Sequence, residues 1–245
     1  MNELNLKKIE LKSFNKTIWS NISNTMKKYN MIEKNDKIAL GFSGGKDSIL
    51  LFHAFLRLKK ILNFNFEIFP IFIFDTNCET SKIEIKNYIN SYDYELIIKE
   101  INIGKILKEK NIKSPCSMCS RLRRGIIYSE MQKLKINKLA LGHHLDDIIE
   151  TYLMNLFFQG NKKIMQPCYI SKEYNIKIIR PLSCVKEKNI ISYMKKGNFK
   201  IFEKKCQYLL KRNNIRTKIK DIINTLDNSS KNNDIRSVIK KALDL

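Results

Sequence analysis

No apolar run in this 245-residue chain approaches the roughly 20 residues that cross a bilayer, so a membrane-spanning helix is not expected. The opening residues Met1-Asn2-Glu3-Leu4-Asn5-Leu6-Lys7-Lys8 lack the apolar stretch of a secretion signal, so a cytoplasmic protein is the expectation. In a reducing cytosol the six cysteines are not expected to form disulfides. They include a single Cys-x-x-Cys pair, whereas a structural zinc site normally draws on four ligands, often two such pairs. No internal repeat or long low-complexity segment is present. Acidic residues are short: 24 Asp+Glu face 46 Lys+Arg, a net charge of +22.

That surplus points to a polyanionic partner, nucleic acid being the commonest. The chain is also rich in Lys, Asn and Ile, so part of the lysine excess is compatible with solvated faces alone. The stretch from Lys186 to Leu245 is especially basic, with sixteen Lys+Arg against six Asp+Glu.

Ser43-Gly44-Gly45-Lys46-Asp47-Ser48 lies between an apolar run, residues 37–42, and a helical pattern from Ile49. A strand, a small-residue loop with one lysine, then a helix makes a phosphate cradle. Backbone approaches an anion closely where glycines carry no Cβ, and the helix start adds unpaired N–H donors. The common nucleotide loop places four residues between its first Gly and Gly-Lys-Ser/Thr, and this one does not. An ordinary Gly-containing turn is the plain alternative.

Apolar runs mark further strands at about 66–74, 94–98, 138–142 and 176–181, with helical patterns between them. Pro70 hints at an irregularity in the second. This alternation predicts an α/β fold: a doubly wound, mainly parallel sheet, with ligands beyond the carboxyl ends of its strands. Residues 12–32 read as one amphipathic helix containing Trp19. Residues 1–34 are expected to form an N-terminal helical segment, 35–190 the nucleotide-binding domain, and 191–245 a basic helical C-terminal segment. The last contains two helices broken near Asp227-Asn228-Ser229-Ser230-Lys231-Asn232-Asn233.

Two more motifs carry chemistry. In Pro115-Cys116-Ser117-Met118-Cys119-Ser120-Arg121-Leu122-Arg123-Arg124-Gly125, two cysteines three apart can direct both sulfurs at one metal. Neighbouring guanidinium groups favour thiolate. Spacing does not separate zinc from iron, and unligated thiols are the plain reading. In Gly142-His143-His144-Leu145-Asp146-Asp147-Ile148-Ile149-Glu150-Thr151, the carboxylates suit Mg²⁺ against nucleotide phosphates. Helix capping by Asp146 and Asp147 is the alternative.

The six-residue loop resembles the PP-loop of ATP pyrophosphatases. With the other two motifs and Arg180-Pro181-Leu182, the chain from about Asp36 to Pro181 resembles the tRNA 2-thiocytidine synthetases. The Cys116–Gly125 stretch is the most specific part; lysidine synthetases share the loop but not this segment. The resemblance implies that ATP adenylates the C2 oxygen of cytidine 32 in tRNA. Sulfur carried by a [4Fe–4S] cluster, and drawn ultimately from a cysteine desulfurase, then replaces it. It implies that Ser43, Gly44, Gly45, Lys46, Asp47, Ser48, Gly142 and His143 hold ATP. Asp47, Asp146 and Asp147 assist Mg²⁺ or the reacting base, and Arg121, Arg123 and Arg124 contact RNA. Cys116 and Cys119 are two cluster ligands. The third is expected in the C-terminal part, with Cys206 favoured over Cys168, and Cys184 and Cys78 as bystanders. A 2-thiouridine synthetase and a non-catalytic tRNA-binding relative are the alternative readings. Homodimerisation stays open.

Overall fold

The computed structural model describes residues 9–77, 81–109, 115–202, 215–229 and 234–245. Its centre is a six-stranded sheet in the order β3-β2-β1-β4-β6-β5. The strands are β1 (Lys37–Phe42), β2 (Glu67–Asp75), β3 (Ile97–Ile101), β4 (Lys138–Ala140), β5 (Cys168–Ser171) and β6 (Ile176–Ile179). All pairings are parallel except β5 with β6. Ile38, Ala39 and Leu40 of β1 are all buried. A strand covered on both faces needs such an unbroken apolar run.

The helices are α1 (Ser20–Lys28), α2 (Lys46–Ile61), α3 (Lys82–Asn90), α4 (Ile103–Glu109), α5 (Pro115–Lys133), α6 (Leu145–Gln159), α7 (Glu187–Lys196), α8 (Ile215–Ser229) and α9 (Ile235–Ala242). One core joins α1, α2, α3 and α7 to the sheet through Ile22, Phe52, Phe55, Ile85 and Tyr193. A second packs α5 on the opposite face, Ile127, Tyr128 and Met131 meeting Ala39, Ile71 and Leu139. Helices on both faces complete the doubly wound arrangement expected from the alternation. A smaller cluster docks α8 and α9 onto α6, with Ile219 and Ile223 against Leu145 and Ile149.

Several expectations need correction. Residues 12–32 are not one helix. A 3₁₀ turn at Lys12–Phe14 and a π-helical turn at Asn15–Trp19 lead into α1, which ends at Lys28. Ser20 Oγ donates to the Lys16 carbonyl at 2.6 Å and Asn21 Nδ2 to that of Thr17 at 3.1 Å, side-chain bonds that compete with the regular ladder. Asn30 then turns the chain away with a φ of 44°. The third strand lies three residues later than the run 94–98; its successive Lys99 and Glu100 point to opposite faces, pairing with Glu130 and Lys82 respectively. Strand β5 was not anticipated: it is four residues long and exposes Tyr169 and Ile170. Pro70 sits one residue before the β2–β3 ladder begins, opposite Leu40 of β1.

From β1 the strand order runs one way to β2 and β3, and the other way to β4, β6 and β5. The crevice beyond the carboxyl ends of β1 and β4 is therefore the switch point where such sheets bind ligands. At the opposite end, Lys138 opens β4 and is buried against Asp36 and Glu33, at 2.6 and 2.7 Å. This pair ties the amino ends of β1 and β4 together.

Candidate nucleotide and thiolation site

The loop Ser43–Gly45 follows β1 directly and Lys46 opens α2. Gly44 has a φ of +79°, which disfavours any other residue. Its carbonyl accepts from Phe202 N–H at 2.9 Å. Ser48 Oγ donates to the Gly45 carbonyl at 2.9 Å, and Ser43 Oγ lies 3.2 Å from it, so the two hydroxyls brace the loop internally. Across the crevice, Gly142 follows β4. A Cβ there would stand 3.1 Å from the Asp47 carbonyl carbon and oxygen, so the glycine lets the two loops touch.

His144 and Asp147 form a capping box at the start of α6. His144 N–H donates to Asp147 Oδ2 at 3.1 Å, and Asp147 N–H to His144 Nδ1 at 3.4 Å. His143 is held by Arg180, whose Nε donates to His143 Nδ1 at 3.3 Å. Burial, reinforced by that guanidinium, drives the His143 pKa down to about 4, so the ring is neutral at pH 7. Asp146 is almost wholly buried: it accepts from Glu187 N–H at 2.7 Å and from Arg236 Nε.

An open cleft of about 220 Å³ lies between the starts of α2 and α6 and is closed by α8. Lys46, Arg216 and Lys220 line it with Asp47, Asp147, Glu150 and Glu187, so carboxylates outnumber its Lys and Arg side chains. Lys46 Nζ lies 3.1 Å from both Asp47 Oδ2 and Glu187 Oε1. Burial alone would lower the Lys46 pKa, but these two carboxylates raise it, and the ammonium stays charged. Burial raises the Asp47 carboxyl, against the pull of His144 and Lys46. Asp47 Oδ1 is buried with no hydrogen-bond partner. His144 Nε2 lies 3.7 Å from that oxygen, which is a hard donor of the kind Mg²⁺ takes, but among the described residues no three acids or imidazoles are grouped closely enough to hold a metal by themselves.

Sequence reasoning did not find Glu187, Arg216, Lys220 or Arg236. Arg216 Nε donates to Glu150 Oε2 at 2.6 Å and Nη2 to Asp147 Oδ1 at 3.0 Å. The available signal was the helical spacing of Arg216 and Lys220, four apart and so on one face.

The cysteine–arginine segment begins α5. Arg123 Nη1 donates to the Ile73 carbonyl of β2 at 2.7 Å, and its Nε lies 3.2 Å from Cys119 Sγ. Arg123 thus anchors the half-buried Cys119 at the carboxyl end of the strand beside β1. Cys116 lies one turn earlier on the same helix. Arg121 and Arg124 are exposed, and Glu130 is matched by Lys99 and Lys133 rather than by these arginines. The Cys119 thiol beside the Arg123 guanidinium is a soft donor, of the kind that fits an iron–sulfur cluster and does not suit Mg²⁺. Cys206 and Cys78 lie outside the described residues. Cys168 sits on β5, four strand spacings or about 19 Å from β2, and Cys184 is buried.

The switch-point crevice, the glycine loop and its lysine define a PP-loop nucleotide-binding protein, and residues 14–223 match the model of the PP-loop domain family. The chain is 35% identical over 242 residues to tRNA-cytidine(32) 2-sulfurtransferase 1 of Francisella tularensis, covering 98% of this chain and 89% of the relative. It is 38% identical over 204 residues to tRNA-cytidine(32) 2-sulfurtransferase of Haemophilus ducreyi, covering 82% and 65%. The U34-tRNA thiolase NcsA from Methanococcus maripaludis, solved with its [4Fe-4S] cluster, superposes with a TM-score of 0.70 at 24% identity, over 86% of this chain and 73% of that one. The chain belongs to the tRNA-cytidine(32) 2-sulfurtransferase family of PP-loop proteins.

Proposed function

We propose that this protein is an ATP-dependent tRNA sulfurtransferase that converts cytidine 32 to 2-thiocytidine. The observation that carries the reading is a juxtaposition. The Gly44–Lys46 loop and the Cys119–Arg123 pair stand at the carboxyl ends of adjacent strands, β1 and β2. An adenylating site and a thiol site one strand apart suit a reaction in which one atom of a base is activated and then replaced.

In this reading the C2 oxygen of the base attacks the α-phosphate of ATP and pyrophosphate leaves. Sulfur then adds at C2 and AMP departs with the oxygen. Lys46 and the N–H groups at the start of α2 bind the phosphates. Asp47 and Asp147 hold the accompanying Mg²⁺, while Asp146, committed to Arg236 and the start of α7, fixes the wall of the cleft. Gly142 keeps that wall against the loop. Cys116 and Cys119, with Cys206, would hold a [4Fe–4S] cluster. When bound, a three-cysteine cluster supplies an open iron site for sulfide. Arg123 orients Cys119, and the exposed Arg121 and Arg124 meet RNA phosphates.

A cysteine desulfurase supplies the sulfur in this scheme. In this reading the protein works in the cytoplasm; no described helix is long and apolar enough to cross a membrane.

The test is mass spectrometry of thionucleosides in tRNA from cells with and without the gene. Selective loss of 2-thiocytidine is expected. Loss of a thiouridine instead overturns the substrate, and an unchanged profile overturns the activity. With purified components, AMP and pyrophosphate should form only when tRNA is present.

A further inference from the structure

The cleft contains a carboxylate where a phosphate would be expected. Glu187, the first residue of α7, places Oε1 3.1 Å from Lys46 Nζ of the PP-loop and Oε2 2.6 Å from Lys220 Nζ of α8. One acidic group thus bridges two ammonium groups from elements far apart in sequence. Burial alone would push its carboxyl up, but Lys220 and Lys46 outweigh that and hold it at about 2, so it is ionised.

The bridge is not needed to seat α8. That helix is docked by Ile219 and Ile223 against Leu145 and Ile149. Lys220 and Arg216 are 41% and 38% exposed on the cleft side of this contact, so both side chains can change partners without leaving the helix. Arg216 is itself spread over two carboxylates, Asp147 and Glu150. A triphosphate carries more charge and more acceptor oxygens than one carboxylate, and guanidinium and ammonium groups suit both.

We propose that Lys220 and Arg216 are ligands of the β- and γ-phosphates of bound ATP, and that Glu187 holds their place in the nucleotide-free protein. This rests on the reading above that the cleft takes ATP. On binding, Lys46 and Lys220 exchange Glu187 for phosphate oxygens, and Arg216 turns from Glu150 and Asp147 toward the same group. The C-terminal segment then belongs to the nucleotide site and is not merely a basic surface for RNA.

The experiment measures binding of Mg²⁺ with the α,β-methylene analogue of ATP, and separately of AMP, to the full chain by titration calorimetry. Lys220→Gln and Arg216→Gln should each weaken the triphosphate analogue tenfold or more and leave AMP within twofold. Lys220→Arg should restore most of the loss. Glu187→Gln should tighten the analogue severalfold, because a competing anion is removed. Unchanged affinity in Lys220→Gln, or equal losses for the analogue and AMP, overturns the assignment. Weaker analogue binding by Glu187→Gln overturns the stand-in role, and that variant also decides the matter if Lys220→Gln fails to fold. These outcomes are read without tRNA. A wild-type chain that shows the triphosphate pattern but makes no 2-thiocytidine leaves this proposal standing and removes the thiolation reading.

Discussion

The adjacent glycines of the PP-loop should respond very differently to the same small change. Gly44→Ala forces an L residue into a φ of +79°, at a cost of about 1–2 kcal/mol. Its new Cβ would lie 2.9 Å from Phe202 Cβ and 3.1 Å from Ile85 Cδ1. Both belong to packed side chains, and such overpacking costs about 1–3 kcal/mol. The total is about 2–5 kcal/mol. For a chain of this length each kcal/mol moves the melting temperature by about 2–4 °C, so a fall near 10 °C is expected. At Gly45 the backbone is ordinary (φ −78°, ψ 162°) and an added Cβ meets only Ser43 Oγ, at 3.5 Å. Gly45→Ala gives up a favourable cap residue, a loss below about 1 kcal/mol. Thermal melts of the two variants beside wild type, at one scan rate, compare these figures directly. The reasoning fails if Gly45→Ala melts as low as Gly44→Ala.

His53 is fully buried among the hydroxyls of Tyr88 and Tyr193, and burial drives its pKa down to about 3. The unfolded chain therefore takes up a proton near pH 6.5 that the folded chain refuses. Stability should fall as pH drops from 6.5 toward 3, with a slope approaching about 1.4 kcal/mol per pH unit. Urea unfolding at several pH values should show a shallower slope for His53→Gln, the remainder coming in part from His143; an identical slope would remove His53 as the cause. Cys116→Ala and Cys119→Ala should each abolish thiolation while far-UV circular dichroism stays unchanged, and full activity in either would exclude that thiol as a cluster ligand. Charge reversal at the exposed Arg121 and Arg124 should weaken tRNA binding and flatten its salt dependence; an unchanged salt slope would move the RNA surface elsewhere.

Much of the nucleotide site was legible because its parts are local. The PP-loop and the Gly142–Thr151 motif each follow an apolar strand within a few residues, and the parallel pairing of β1 with β4 brings them together. The Cys116–Gly125 segment was equally plain, though its anchorage through Arg123 to the Ile73 carbonyl was not, since a backbone acceptor leaves no mark in sequence. Glu187, Arg216, Lys220 and Arg236 were illegible for a different reason. They reach the cleft or its Asp146 wall from 41 to 90 residues beyond Asp146, and in a chain with 46 basic residues a lysine facing the site resembles any other. Strand β5 escaped because four residues at a half-exposed edge show neither an unbroken apolar run nor a clear alternation. The N-terminal helix was overextended because an amphipathic pattern does not register side chains that bond back to the helix.

The balance of charge inside the cleft has a consequence for traffic between two phosphate-bearing ligands. A protein with a net charge of +22 draws any nucleic acid toward its surface. Its nucleotide cleft nevertheless presents four carboxylates beside Lys46, Arg216 and Lys220. A bare phosphodiester strand meets repulsion there, whereas a nucleotide that arrives with its own divalent cation does not. By this balance the cleft should favour a small nucleotide carrying its own cation over the bare backbone of a large nucleic acid.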